Sequence, residues 1–483
     1  MKRCSAYCCF FPALSIICLT LFFASLPVQA SEYSHGSTQS SFWADSSAWT
    51  PAGVPGASDT ANVYYSINLS STSGSAISVG TLNLDTYNPS GPSGFIQLYG
   101  YTLNILDSGQ WSWGGLSDYY GSTGVVNLYG TMQLVDDIAD HYGNGPETVD
   151  LVAHPIDHGI TLNNYGIMQH DSLGSFDLGA SACQYVIHGI HNFTTDGDIT
   201  TGGQGGERTT NYGTIVKSGG TGQSLINGEL DNQGMVEAQS GTIFVGNSLQ
   251  YDGYWSHELH SGQWTARDNA SIVIAGRGEL ETNSGHIVLD GSGANFYTTQ
   301  TYTYTPLEAY LTTNAGTLEI HGNRTFDRAV ENSGTFIVGD DTTLTINLTN
   351  TGTFQVGNSP GHGTVNGEFA QSSTGEMLME LGGLIQGDEY DVFEVTGTAT
   401  LAGTLNLSYL DDFTATPGDK FDILQADSIV GQFDDVLYPD AQNWMIDYDP
   451  TAGRVTVGVV PEPTTTCLLL ILLALPLMRW HRH

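Results

Sequence analysis

Between Ser31 and Val460 the chain carries a single cysteine, Cys183; the other five are Cys4, Cys8, Cys9, Cys18 and Cys467, all in apolar stretches at the two ends. One thiol closes no internal disulfide, so packing and backbone hydrogen bonds must hold this segment together. Nothing around Cys183 marks a nucleophile, and the sequence favours a buried structural thiol. Positive charge is also scarce. The chain has 12 Lys and Arg against 50 Asp and Glu, for a formal net charge of −38. Lys2, Arg3, Arg479 and Arg482 lie in the terminal segments, which leaves eight cations against 49 acids from Ser31 to Val460. Such a body repels nucleic acid and anionic membrane surfaces, and it resists association with its own copies. Among cations its oxygen-rich surface suits calcium, and no cofactor motif is present. A Gly-rich phosphate loop in strand-loop-helix context and a nucleophile elbow are both missing.

Long helices are disfavoured by what is present: 60 glycines, many Thr, Ser and Asn, and few Lys and Glu. Strand formers punctuated by Gly and Asn indicate an all-β chain. One phrase recurs, Asn or Asp followed by a variable residue, glycine and a short apolar run. It reads NNYGIMQH at 163–170, NYGTIVKS at 211–218, ENSGTFIVGD from 331 and TNTGTFQVGN from 349, and NLYGTMQL at 127–134 is a variant with two residues between Asn127 and Gly130. The chemistry is that of a turn, in which Asx bonds its own chain and glycine accepts positive φ. Gly316, Gly334 and Gly352 follow one another at 18-residue steps, and Gly213 to Gly234 spans 21. A strand-turn unit repeated every 20 residues or so predicts a β-solenoid, a right-handed parallel β-helix; a string of β-sandwich domains is the alternative.

The two ends are of a different kind. Lys2 and Arg3 precede an apolar run through Phe10, Ile16 and Leu21 that closes at PVQAS. This is the pattern of a secretory signal peptide cleaved between Ala30 and Ser31, with an uncleaved N-terminal anchor as the alternative. The chain ends in VPEPTTTCLLLILLALPLMRWHRH. Prolines at 461 and 463 keep that stretch extended, the apolar run is short of a full bilayer span, and Arg479 with Arg482 would stay cytoplasmic. The tail resembles the PEP-CTERM sorting signal of bacterial exported proteins, with Pro461, Glu462 and Pro463 as the motif. A C-terminal strand or core helix is the competing reading. The resemblance implies an exosortase-type membrane transpeptidase as partner, transient membrane insertion through the C-terminal helix, and delivery to the cell surface or extracellular matrix.

GNSPGHGTVNGEF at 357–369, EYDVFEVTGTATLAGTLNLSYLDDF at 389–413 and PGDKFDILQADSIVGQF at 417–433 resemble the C-terminal part of the β-helical passenger in autotransporter-like adhesins. WADSSAWTPAGVPGASDTANV at 43–63 resembles the opening of such repeat regions, and no membrane-inserting barrel follows. The expected organisation is a signal peptide (1–30), an N-terminal cap or lead-in (31–60), a solenoid (61–360), a β-rich cap (361–459) and the sorting segment (460–483). The long repetitive faces of a solenoid rod suit a structural or adhesive role, with exopolysaccharide or other cell-surface components as candidate partners.

Evidence for chemistry is thin. The acidic pairs Asp136–Asp137, Asp340–Asp341, Asp411–Asp412 and Asp434–Asp435 suit solvated turns better than catalysis, since neighbours in a strand point to opposite faces. His154, His158, His170, His188 and His191 are concentrated in one region without a standard metal-ligand spacing. QWSWGGLSDYYG and YDGYWSHELHSGQW offer Trp111, Trp113, Tyr254 and Trp255 as candidates to stack on sugar rings, or else to pack internally. The sequence therefore predicts a non-enzymatic surface protein, with a polysaccharide-binding or polysaccharide-degrading β-helix as the alternative.

Overall fold

A computed structural model describes residues 30–461, apart from 36–40, 70–75, 86–94, 119–122, 136–148, 154–158, 180–181, 202–205, 254, 277, 301–302 and 358–359. Nearly all of its regular structure is strand. The exceptions among the described residues are a 3-10 turn at Ser46–Ala48 and a single helical turn at Leu307–Tyr310. Most strands are short and alternate between buried and partly exposed positions, as at Thr335–Val338 and Thr353–Val356. That period of two is what one-sided burial of a strand demands.

Most strands pair in parallel with their counterpart one repeat away. A single ladder runs without a break from Glu32–His35, through Thr60–Val63, Thr131–Leu134 and Ile167–His170, to Thr317–His321, Thr335–Val338, Thr353–Val356 and Asp435–Leu437. The step between partners varies from 18 residues (Asn314 to Asn332) to 36 (Asn127 to Asn163), the longer steps taking up inserted loops. Register sends like residues inward: Ile287, Leu318, Phe336, Phe354, Met377 and Leu405 fall on successive partners, all of them 0 % exposed. These long parallel sheets in a nearly all-β chain are compatible with a β-helix or solenoid. They depart from the antiparallel pairing that sandwich domains require.

The Asn-x-Gly phrase lies at a corner between two ladders, but for a reason the turn chemistry does not supply. Gly316, Gly334 and Gly352 do not adopt positive φ. A Cβ on Gly334 would sit 2.0 Å from the carbonyl oxygen of Gly316, and one on Gly352 2.3 Å from that of Gly334. Glycine is required because successive corners pack backbone against backbone. The asparagine before it is fully buried and bonds chiefly across repeats: Asn283 donates to Asn314 at 2.8 Å, Asn314 to Asn332 at 2.7 Å and Asn332 to Asn350 at 2.8 Å. Each also donates to a backbone carbonyl beyond the next corner, as Asn314 does to Thr335 O at 2.8 Å. Buried amides paid for in this way satisfy the rule that interior polar groups are bonded.

Antiparallel strands occur towards the ends of the ladders. Trp49–Thr50 pairs antiparallel with the first strand, and Arg454–Val459 lies antiparallel between Lys420–Gly431 and Trp444–Asp449. Such strands cover edges that would otherwise template aggregation. Among the described residues no helix is long and apolar enough to cross a membrane. The signal segment before Ala30 and the tail from Glu462 lie outside the described residues.

Candidate functional site

Two expected processing points lie at the ends of the described residues. Ala30 and Ser31 are exposed, regular structure starts at Glu32, and the Ser31 amide donates to Asp59 Oδ1 at 2.9 Å. At the other end the last strand stops at Val459, Val460 N–H donates to Asn443 O at 2.8 Å, and Pro461 is exposed. Glu462, Pro463, Arg479 and Arg482 lie outside the described residues.

The aromatic candidates separate. Trp111 is 2 % exposed and meets Phe176 edge-on at 6.1 Å, because register places it between Leu84 and Leu134 on the inward face. It fills the core and offers no face to a sugar, which corrects its reading as a glycan-stacking residue. Trp255 is 82 % exposed in a loop after Tyr251–Asp252. Tyr254 and the side chain of Trp113 lie outside the described residues.

A different aromatic set is assembled at the corner. Tyr129, Tyr165, His188 and Tyr212 occupy the variable position before glycine in four consecutive repeats. Their rings stack at 5.3, 4.6 and 5.4 Å, tilted by no more than 14°. All four are exposed, Tyr129 by 49 % and Tyr212 by 56 %. The recurrent Tyr-Gly inside the repeated phrase was the signal for this stack.

Titratable groups are largely committed to structure. His191 is buried, its Nδ1 2.9 Å from the Tyr185 hydroxyl and its ring 5.6 Å from that of His170, whose Nε2 lies 3.0 Å from Gly174 O. Burial, with His170 adding to it, holds the His191 pKa well below the ordinary imidazole value. Lys217 is fully buried, with Nζ 2.8 Å from Asp196 Oδ1 and 2.6 Å from Thr195 O. Arg208 pairs with Glu229, Arg324 with Glu308 and Arg454 with Asp422, while Arg328 lies 4.7 Å above the Tyr310 ring. Asp391, which accepts amides from Gly361 and Glu380 at 2.8 Å, is pushed up to about 7 by burial.

Among the described residues the outer face around Arg267 collects acids, imidazole and guanidinium together. Arg267 bridges Glu237 and Asp290 on the neighbouring strands, and one strand further His321 Nε2 lies 2.6 Å from Glu319. The His321 pKa is raised and that of Glu319 lowered, each mainly by their mutual hydrogen bond. The acidic pairs serve turns: Asp340 Oδ1 accepts the amides of Asp341 and His362, and Asp434 Oδ2 accepts that of Gly403. Asp136–Asp137, His154 and His158 lie outside the described residues. Among the described residues no three His, Cys, Asp or Glu side chains gather to hold a metal ion.

No protein-family model matches the chain, and no curated protein matches it in sequence.

Proposed function

We propose that this chain is an exported, non-enzymatic structural or adhesive protein of the cell surface or extracellular matrix. On this reading residues 61–360 form a right-handed parallel β-helix between an N-terminal lead-in at 31–60 and a β-rich cap at 361–459. The segment 460–483 hands the precursor to an exosortase-type transpeptidase. The observation that carries the reading is the commitment of the scarce cations. Arg208, Lys217, Arg267, Arg324 and Arg454 are each ion-paired to a carboxylate, which leaves few groups to neutralise a polyanionic substrate. Pro461 is exposed two residues past the strand Arg454–Val459, which supports access of a membrane enzyme to the motif.

The test is to replace Pro461, Glu462 and Pro463 together with alanine and follow the precursor. Retention of the unprocessed form in the membrane fraction is expected, and unchanged processing would contradict the sorting role. The competing reading is a polysaccharide-degrading β-helix, which draws on the Glu237, Arg267, Asp290, Glu319 and His321 cluster. Depolymerisation of any member of a polysaccharide panel, lost in Glu319→Gln, would decide for that alternative.

A further inference from the structure

Four consecutive corners of the main ladder carry no carboxylate. Residues 123–135, 159–170, 182–193 and 208–218 contain neither Asp nor Glu, in a chain that has 50 of them. Acids stand between these windows, at Asp136, Asp171 and Glu207 among others, but in the column of corners itself the nearest are Asp107 in the preceding repeat and Glu229, Asp231 and Glu237 in the following one. It is the same set of repeats that stacks Tyr129, Tyr165, His188 and Tyr212 at the turn. Charge pattern and ring geometry therefore mark one facet independently.

What the facet exposes is mostly uncharged: Arg208 and the buried Lys217, each ion-paired, are the Lys and Arg within it. Beside the stack lie Ile167 and Ile190, 36 % and 37 % exposed and paired with each other across the ladder. Carboxamides flank this strip in its earlier repeats, the two columns continuing as Val186 with Thr210 and as Val216. On one side Asn163 donates to Asn127 at 2.9 Å and Asn127 to Asn104 at 2.8 Å; on the other, Asn192 donates to Gln169 at 3.2 Å. A carboxamide that spends one N–H on its neighbour still has a second N–H and a free lone pair to offer. The stacked rings cover one another's faces, so they offer edges and phenolic hydroxyls. Asp171, which accepts from Thr194, stands at one margin.

We propose that this facet binds a strand of uncharged polysaccharide lying along the ladder axis across the four repeats. A sugar chain combines aliphatic C–H patches with hydroxyls that both donate and accept, which the isoleucine strip and the flanking carboxamides complement. Repeats rise by about 4.8 Å, which keeps the polar groups in step with successive sugar residues. Polyanions are repelled by a chain of net charge −38, and so is lateral pairing with a second copy, whose own acids would flank the contact. The proposal rests on the adhesive reading above and names its ligand class.

The experiment is affinity electrophoresis of the full chain in native gels containing hydroxyethyl cellulose, dextran or polygalacturonate. Retardation by at least one neutral polymer and none by polygalacturonate is expected. The Ile167→Glu/Ile190→Glu variant should bind at least about tenfold more weakly, since it places unpaired charge in the contact. Thr335→Glu/Thr353→Glu, in the same outward column but outside the facet, should bind as the parent does. Should the first variant fail to fold, Tyr129→Phe/Tyr165→Phe/Tyr212→Phe keeps the stack, removes its hydroxyls and should also bind more weakly. No retardation by either neutral polymer, equal retention by polygalacturonate, or equal loss in the distant control would overturn the proposal. Shortening of the polymer would defeat the non-enzymatic reading and leave the facet standing, whereas normal tail processing without any binding would defeat the facet alone.

Discussion

The side-chain nitrogen of Asn314 donates to the side-chain oxygen of Asn332 at 2.7 Å, and neither residue exposes any surface. Eighteen residues apart in sequence, they are neighbours in a column that continues through Asn350 to Gln371. Removing one member strands the next. Asn332→Ala leaves the Asn350 oxygen and the Thr353 carbonyl without the donor they share, and should cost about 2–4 kcal/mol. Ser333→Ala, one residue along, should leave the denaturant midpoint almost unchanged.

Gly334→Ala should be at least as damaging, because its Cβ would sit 2.0 Å from Gly316 O and force the two corners apart. A loss of about 3 kcal/mol is expected. Gly56→Ala, whose nearest neighbour would be Asp59 Oδ2 at 3.5 Å, serves as the tolerated control in the same unfolding experiment.

The ion pair between Lys217 and Asp196 should respond asymmetrically. The lysine side chain is wholly buried whereas that of Asp196 is 34 % exposed. Asp196→Ala leaves a buried ammonium with only Thr195 O and Ser224 Oγ, and should cost about 3 kcal/mol. Lys217→Met releases a carboxylate towards solvent and should change the unfolding midpoint far less.

How much of this was legible in the sequence depends on distance along the chain. The Asn-x-Gly phrase located the corners and its 18-residue step located the repeat, because both are local patterns. Why glycine is needed was not legible: its constraint is the carbonyl of Gly316 one repeat away, not the φ of its own turn. Trp111 stayed open between sugar stacking and internal packing because its inward neighbours Leu84 and Leu134 are supplied by register. The Arg267 cluster likewise draws its partners from four strands, at positions 237, 267, 290 and 319 with 321, and no window of sequence contains them together.

Acid should loosen the repeats around residues 162–193. Because the folded-state pKa of His191 is held low by burial, the unfolded chain binds a proton below about 6.5 that the folded chain refuses, and stability falls as pH drops through that range. His35 and His286 shift in the same direction through burial. The raised pKa of His321 works oppositely, since its contribution is fully present below about 6.5 and is lost as pH rises through the raised value. In His191→Phe the drop in melting temperature between pH 7.5 and pH 5 should shrink, at the expense of lower stability at pH 7.5, where the Tyr185 hydroxyl loses a partner.

The parallel register of the main ladder can be tested with thiols placed on its outward column, in a chain whose other cysteines are replaced. Thr317, Thr335 and Thr353 are successive partners on adjacent strands. Neighbours should lie about 5 Å apart and the outer two about 10 Å. Dibromobimane, which bridges only thiols in near contact, should therefore join Cys pairs made at 317 with 335 and at 335 with 353, and leave the 317 with 353 pair unjoined. Efficient bridging of 317 with 353, or failure of both adjacent pairs, would show that the strands do not stack in this order.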